Sequence, residues 1–240
     1  MNHFIYTLLK ILTVVINVSY ATAIHANESL HIYTEHLPGF QYLDKNGNLV
    51  GKNAQKFKDA FKFNQLEYTL SVLDWSTSYN AAIRESNACI FSIARLPVRE
   101  KYFDWLVKLS HFDAYFYTLP SKNIVLDNID DAKMYKTAVL ANNFSHHYLA
   151  QKGFNQEQHL VVINNVAKLF DILKQRNSTL DFIVLNEKQY NKHRELDQTI
   201  PEMKKIYQIS STQTGLYFAC NKRMNKTLKD KIKQSFVNLN

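Results

Sequence analysis

Ala88-Cys89-Ile90-Phe91-Ser92-Ile93-Ala94-Arg95-Leu96-Pro97-Val98-Arg99-Glu100-Lys101-Tyr102-Phe103-Asp104-Trp105 runs from an unbroken apolar segment directly into two arginines, a proline and three aromatics. A strand covered on both faces needs apolar residues at every position, as Cys89 to Ala94 supply, so this segment reads as a buried parallel strand. Side chains that hold a ligand belong on the loop at such a strand's end. An arginine there offers a planar fork of donors that matches a carboxylate.

Outward from that strand, apolar runs alternate with helical patterns. Leu30 to Thr34 reads as a strand, Ala54 to Phe63 as an amphipathic helix, Tyr68 to Leu73 as a strand and Tyr79 to Arg84 as a helix. Beyond the arginines, strands are expected at Ala114 to Leu119, Thr137 to Leu140, Val161 to Ile163, Phe182 to Leu185 and Gly215 to Ala219. Helices are expected at Ser145 to Lys152, closed by Gly153, and at Val166 to Lys174, with a lysine-rich helix last. Asn46-Gly47 marks a small hairpin. The alternation predicts an α/β fold with mostly parallel sheets.

At the other end of the chain, Ile11 to Ala23 is a nearly uncharged apolar run after Lys10, and Ala21-Thr22-Ala23 places small residues where signal peptidase reads. The expectation is a secretory leader over 1–23, with cleavage after Ala26 as the competing site. No cysteine stands near either position to carry a lipid. Removing the leader leaves roughly 215 residues, enough for two small lobes or one larger domain. The formal charge of +8 is spread along the chain, with clusters only at Lys204-Lys205 and between Lys222 and Lys233. That distribution reads as solvated faces and argues against a nucleic-acid partner.

The opening stretch resembles the signature of the extracytoplasmic solute-binding proteins of family 3, the amino-acid-type periplasmic binding proteins. Ser92, Ile93, Pro97, Arg99, Lys101 and Phe103 match its pattern, while Leu96 and Val98 depart from it. The resemblance runs from about Leu30 to Lys222, through Pro38-Gly39-Phe40-Gln41-Tyr42, Asp44 to Gly51, Asp181 to Leu185 and Leu216 to Lys222. It implies a two-lobed fold of type II, each lobe a mostly parallel sheet flanked by helices. Lobe 1 would hold 27–110 plus 215–240, and lobe 2 would hold 111–214. It also implies a monomer that takes a small-molecule ligand between the lobes, closes by a hinge, and serves an inner-membrane ABC permease or a sensor from the periplasm, without enzymatic activity or a cofactor.

Carried onto this sequence residue by residue, the resemblance makes Arg99 the clamp for a ligand carboxylate, Ser92 the hydroxyl beside it and Trp75 an aromatic wall. Arg95 is an extra cation with even claims to the cleft and to the lobe surface, and Glu35 stands likewise between cleft and solvent. The acid that usually holds the ligand ammonium is replaced by the neutral Asn186, with Glu187 beside it as a substitute. The usual anion nest before the second-lobe helix reads Ala141-Asn142-Asn143-Phe144-Ser145, where Asn143 and Ser145 are candidate contacts and Ser145 a candidate helix cap. A carboxylate-bearing ligand is expected, and the usual amino-acid clamp is incomplete.

Cys89 and Cys220 fall in strand-like runs placed in one lobe, so two readings stand: a disulfide, or two buried thiols acting as small hydrophobes, the latter weighted more heavily. His146-His147 lacks partners at ligand spacing, so no metal is expected. Hydrolase and phosphate-loop motifs are absent from the sequence. Two alternatives accompany the transport reading: a transport-independent sensory or envelope-binding role, and a cyclohexadienyl-dehydratase-like enzyme with Glu187 as general acid.

Overall fold

The computed structural model describes residues 29–62, 66–175, 179–209, 211 and 214–237. The expected leader and both of its cleavage positions lie outside these residues.

Strands β1 (Leu30–Glu35), β4 (Tyr68–Leu73), β5 (Ala88–Ala94), β6 (Phe103–His111) and β12 (Gly215–Asn221) form one sheet, in the order β4-β1-β5-β12-β6. Strands β7 (Ala114–Thr118), β8 (Thr137–Leu140), β9 (Leu160–Ile163), β10 (Phe182–Leu185) and β11 (Lys204–Ile209) form a second, ordered β11-β7-β10-β8-β9. Each sheet is parallel on one side, β4-β1-β5 and β10-β8-β9, and antiparallel on the other. Short strands β2 (Tyr42–Leu43) and β3 (Leu49–Val50) make the small hairpin that Asn46-Gly47 predicts. The chain is thus two-lobed. It passes between the sheets at Phe112-Asp113 and again before Gly215, where the Phe112 N–H donates to the Thr214 carbonyl (3.1 Å).

Helices α1 (Lys52–Lys62), α2 (Trp75–Arg84) and α6 (Lys226–Val237) cover the first sheet. The apolar stripe of α1, with Phe57 and Phe61, stacks on Phe91 and Phe218, while Tyr79 and Ala82 of α2 cover Ile90, Ile93 and Phe103 on the other face. Around the second sheet lie α3 (Phe144–Gln151), α4 (Val166–Gln175) and α5 (Glu187–Leu196). Gly153 ends α3 at φ +84°, the left-handed geometry that glycine adopts without steric penalty. Among the described residues no helix is long and apolar enough to cross a membrane.

Along β5 the side chains alternate as a pleat requires until Ser92, which sits at φ +62° where the register with β12 slips. The bulge returns Ile93 to the face of Ala88 and Ile90, and aims Ala94 toward the second lobe. It is this local irregularity that brings the strand's end to the cleft.

The more heavily weighted reading of the cysteines is corrected. Cys89 and Cys220 are register partners on β5 and β12, both fully buried, and they form a disulfide across a sequence separation of 131. Nothing local in the sequence shows that β12 returns beside β5 in that register.

Candidate functional site

A cleft opens between the sheets. Its first-lobe wall is built from the C-terminal ends of β1 and β5 and the start of α2, and its second-lobe wall from the loops after β8 and β10. Parallel strand ends naturally supply such a crevice.

Arg99 lies on a one-turn 3-10 helix, Pro97–Arg99, and is fully buried. Pro97 fixes that turn directly after the strand, so the arginine folds back under the strand's end. Its guanidinium is 4.9 Å from the Trp75 ring centre and 5.2 Å from that of Tyr79. One terminal nitrogen donates to the Ala94 carbonyl (2.6 Å), and the other crosses the cleft to the Asn142 carbonyl of the second lobe (2.5 Å). Among the described residues its Nε has no partner. Burial lowers the Arg99 pKa to about 10, against the opposing pull of Tyr79 and Glu35, so the group is charged at neutral pH.

Trp75, stacked on Tyr79 at 5.4 Å, walls the same space. Ser92 also lines it, but its hydroxyl is spent: it donates to Gln41 Oε1 (2.7 Å) and accepts from Asn53 Nδ2 (2.8 Å). These three side chains are buried and fix the bulge to α1 and to the loop after β1. Ser92 therefore brings no free proton to a ligand, a change from the role implied by resemblance.

Glu35 ends β1 with its side chain in the cleft. Burial raises its pKa to about 8, outweighing the nearby Arg99, and Asp74 pushes the same way as burial.

The second lobe contributes amides already committed to helix ends. Asn143 Oδ1 accepts from the His146 N–H (3.0 Å) and caps α3, with the Ser145 hydroxyl donating to the same oxygen (3.2 Å). The cap is Asn143, which corrects the assignment to Ser145. Asn142, at φ +58°, turns its carbonyl toward Arg99. Asn186 caps α5 by accepting from the Gln189 N–H (2.8 Å), and its amide donates to Gln189 Oε1 (3.3 Å).

Of the residues singled out in the sequence, Glu35, Trp75, Ser92, Arg99, Asn143, Ser145 and Asn186 all line the cleft. Arg95 does not. It follows Ala94 on the opposite side of the chain, is exposed, and forks onto Glu100 (2.7 and 3.1 Å). Glu187 likewise does not line the cleft and pairs with Lys205 (2.6 Å). Sequence reasoning missed Gln189, Phe112 and Leu216. Asn186-x-x-Gln189 before a helix was a legible capping pattern, whereas the crossing residues carried no signal.

The lobes touch across the cleft mouth. Gly39, at φ +84°, faces the aliphatic chain of Lys188, which any side chain at position 39 would meet, and Lys188 Nζ lies 5.9 Å from the Phe40 ring. Among the described residues no group of three or more His, Cys, Asp or Glu side chains is placed to hold a metal ion.

Solved structures align with both lobes and the cleft together. An ancestral arginine-binding protein bound to arginine superposes with a TM-score of 0.72 at 18% identity, over 90% of this chain and 93% of that one. The chain has the fold of the periplasmic binding proteins. A histidine kinase sensor domain with similarity to periplasmic binding proteins shares this periplasmic-binding fold (TM-score 0.71, 16% identity, 88% and 90% covered). So does a Salmonella typhimurium periplasmic binding protein of high arginine specificity (TM-score 0.68, 16% identity, 88% and 92% covered). No protein-family model matches the sequence. No curated protein matches it as a relative.

Proposed function

We propose that the protein is a non-catalytic, extracytoplasmic solute-binding protein that captures a small carboxylate-bearing, amino-acid-like ligand by closure of two lobes, 27–110 with 215–240 and 111–214, after loss of its leader. The observation that carries this reading is Arg99: a buried, charged fork on the cleft floor, packed against the stacked Trp75 and Tyr79, with one donor unpartnered among the described residues and another on a carbonyl of the opposite lobe. A ligand carboxylate offers such a group a stronger partner than the Asn142 carbonyl. Two of the structures sharing the fold are described as arginine-binding or arginine-specific, which supports an amino-acid-like ligand. Delivery to an inner-membrane permease follows from this reading. The sensor domain of the same fold supports a second one, in which the same closure signals instead.

The test is a thermal-shift screen against amino acids, small carboxylates and amines, with wild type, Arg99→Ala and Arg95→Ala compared. A ligand at about 100 times its dissociation constant adds roughly 2.7 kcal/mol of stability. The expected result is a carboxylate hit retained by Arg95→Ala, lost by Arg99→Ala, and recovered chemically unchanged. A hit that survives Arg99→Ala, or a ligand recovered as a product, would sink the proposal.

A further inference from the structure

The Asn142 turn, through which the second lobe reaches Arg99, is held from both sides. Asn142 sits at φ +58°, a left-handed conformation that asparagine tolerates but does not prefer, and both of its backbone polar groups are engaged. Its carbonyl accepts from Arg99 across the cleft (2.5 Å), and its N–H donates to Nδ1 of His146, four residues on (3.1 Å). His146 lies in the first turn of α3, just behind the Asn143 cap, so its ring reaches back over the helix start as a capping-box side chain does.

A backbone N–H can only donate. Nδ1 of His146 must therefore carry a lone pair, which makes the ring neutral with its proton on Nε2. That nitrogen faces the side-chain amide of Gln156 (3.5 Å), which carries no charge. Protonating Nδ1 would set a donor against a donor and place a positive charge at the N-terminal end of α3, where the helix dipole opposes it. Around the ring, His147 of the same helix stacks at 5.5 Å and is held at about 4, hence neutral. Arg99, from the first lobe, is close enough to act on His147 and joins His146 through Asn142. Burial shifts His146 the same way, below the usual imidazole value.

We propose that His146 is a positioning residue for lobe closure: its neutral ring holds the turn whose carbonyl docks on Arg99, and protonation of that ring releases the turn and lets the lobes part. In the closed form Nδ1 cannot take a proton without losing its bond, so its closed-state pKa lies below its open-state one. This contribution to closure is fully present above the open-state value, about 6.5, and is lost as pH falls toward the closed-state value, by up to about tenfold in the closed-to-open ratio per pH unit. The Asn142 carbonyl takes the Arg99 donor that a ligand carboxylate would take, so latch and ligand compete, and mild acid frees the clamp. That competition rests on the solute-binding reading, whereas the latch itself needs no ligand.

The test is a pulsed electron-spin distance measurement on ligand-free protein between pH 8 and pH 5, with spin labels on Leu43→Cys and Leu196→Cys, exposed sites on opposite lobes. The expected result is a short interlobe distance at pH 8 that gives way to a longer one by pH 5. His146→Gln keeps an acceptor that does not titrate and should hold the short distance throughout. His146→Phe keeps a ring without an acceptor and should give the long distance at both ends; where it fails to fold, His146→Gln decides alone. Long-range proton–nitrogen spectra should show the His146 ring neutral and protonated on Nε2 at pH 8, titrating with the same midpoint as the distance. A wild-type distance that ignores pH, a pH response that survives His146→Gln or vanishes in His147→Gln, a short distance in His146→Phe, or a ring protonated on Nδ1 at pH 8 overturns the proposal. Each of these leaves the carboxylate clamp at Arg99 standing, since no ligand enters the measurement.

Discussion

The first lobe meets the cleft with charged groups whose bonding capacity is partly unspent, whereas the second meets it with amides already used to end its own helices. Among the described residues Arg99 keeps a donor without a partner and Glu35 a carboxyl without one, while Asn143 and Asn186 are each closed on the backbone N–H three residues ahead. A group that must change partners when ligand arrives has to be left incompletely satisfied, and it needs a rigid base to hold it so. The first lobe supplies that base through the Gln41–Ser92–Asn53 network and the disulfide. The second lobe acts as a neutral lid that contributes backbone carbonyls and apolar surface.

Removing the base is the largest perturbation this contrast predicts. The Cys89–Cys220 bridge closes a loop that contains the whole second sheet, so its loss frees the first lobe's unfolded state and leaves the second sheet's internal contacts unchanged. Loop-closure entropy for a span this long puts the loss at about 5 kcal/mol. Denaturant unfolding of the Cys89→Ser/Cys220→Ser variant should show a first-lobe transition shifted to much lower denaturant and a second-lobe transition in place. A single transition shifted as a unit would instead show that the lobes share one folding unit.

A smaller effect comes from Glu35. Its folded-state pKa, about 8, lies above the unfolded value, so the native state binds the proton that the unfolded state releases. The protein should therefore lose stability as pH rises from about 4.5 to about 8. Glu35→Gln should abolish that component and be the more stable protein at pH 8. Identical pH profiles for the two would show that Glu35 is solvated in the empty cleft.

Asn186→Asp sharpens the comparison most finely, because aspartate caps a helix as well as asparagine does. The lid would gain a charge without losing its fold. Thermal stability should change by less than about 0.5 kcal/mol, and affinity for a ligand carrying an α-ammonium should rise roughly tenfold, the strength of one added charge-assisted hydrogen bond. An unchanged affinity would mean that position 186 does not face the ligand.

Much of this molecule was legible from its sequence. The strand-and-helix alternation, the hairpin at Asn46-Gly47, and the apolar run feeding Arg99 follow from periodicity and turn chemistry alone. What was hidden is the consequence of distant pairing. Ser92 and Arg95 have cleft-like chemistry, yet Ser92 is consumed by partners 51 and 39 residues away, and strand parity sends Arg95 outward to Glu100. Glu35 showed the opposite pattern: its position beside His36 and Leu37 gave solvent and cleft equal claims, and only the approach of Arg99 and Asp74 from other elements decided between them. Strand β11 and helix α5 escaped notice because their lysines and other polar residues blur the alternation that marks a buried element, and strand β6 because its part-buried Phe-Asp-Trp-Leu-Val-Lys pattern follows no strict alternation.

The central claim, that the first lobe alone holds the ligand's charged groups, is tested most directly by a crystal structure with the best ligand from the thermal-shift screen. The account predicts the carboxylate within hydrogen-bond distance of Arg99, with the Asn142 carbonyl displaced from it, and any cationic group against Glu35. A ligand whose charged groups contact only the second lobe, with the Arg99 to Asn142 bond still in place, would contradict it.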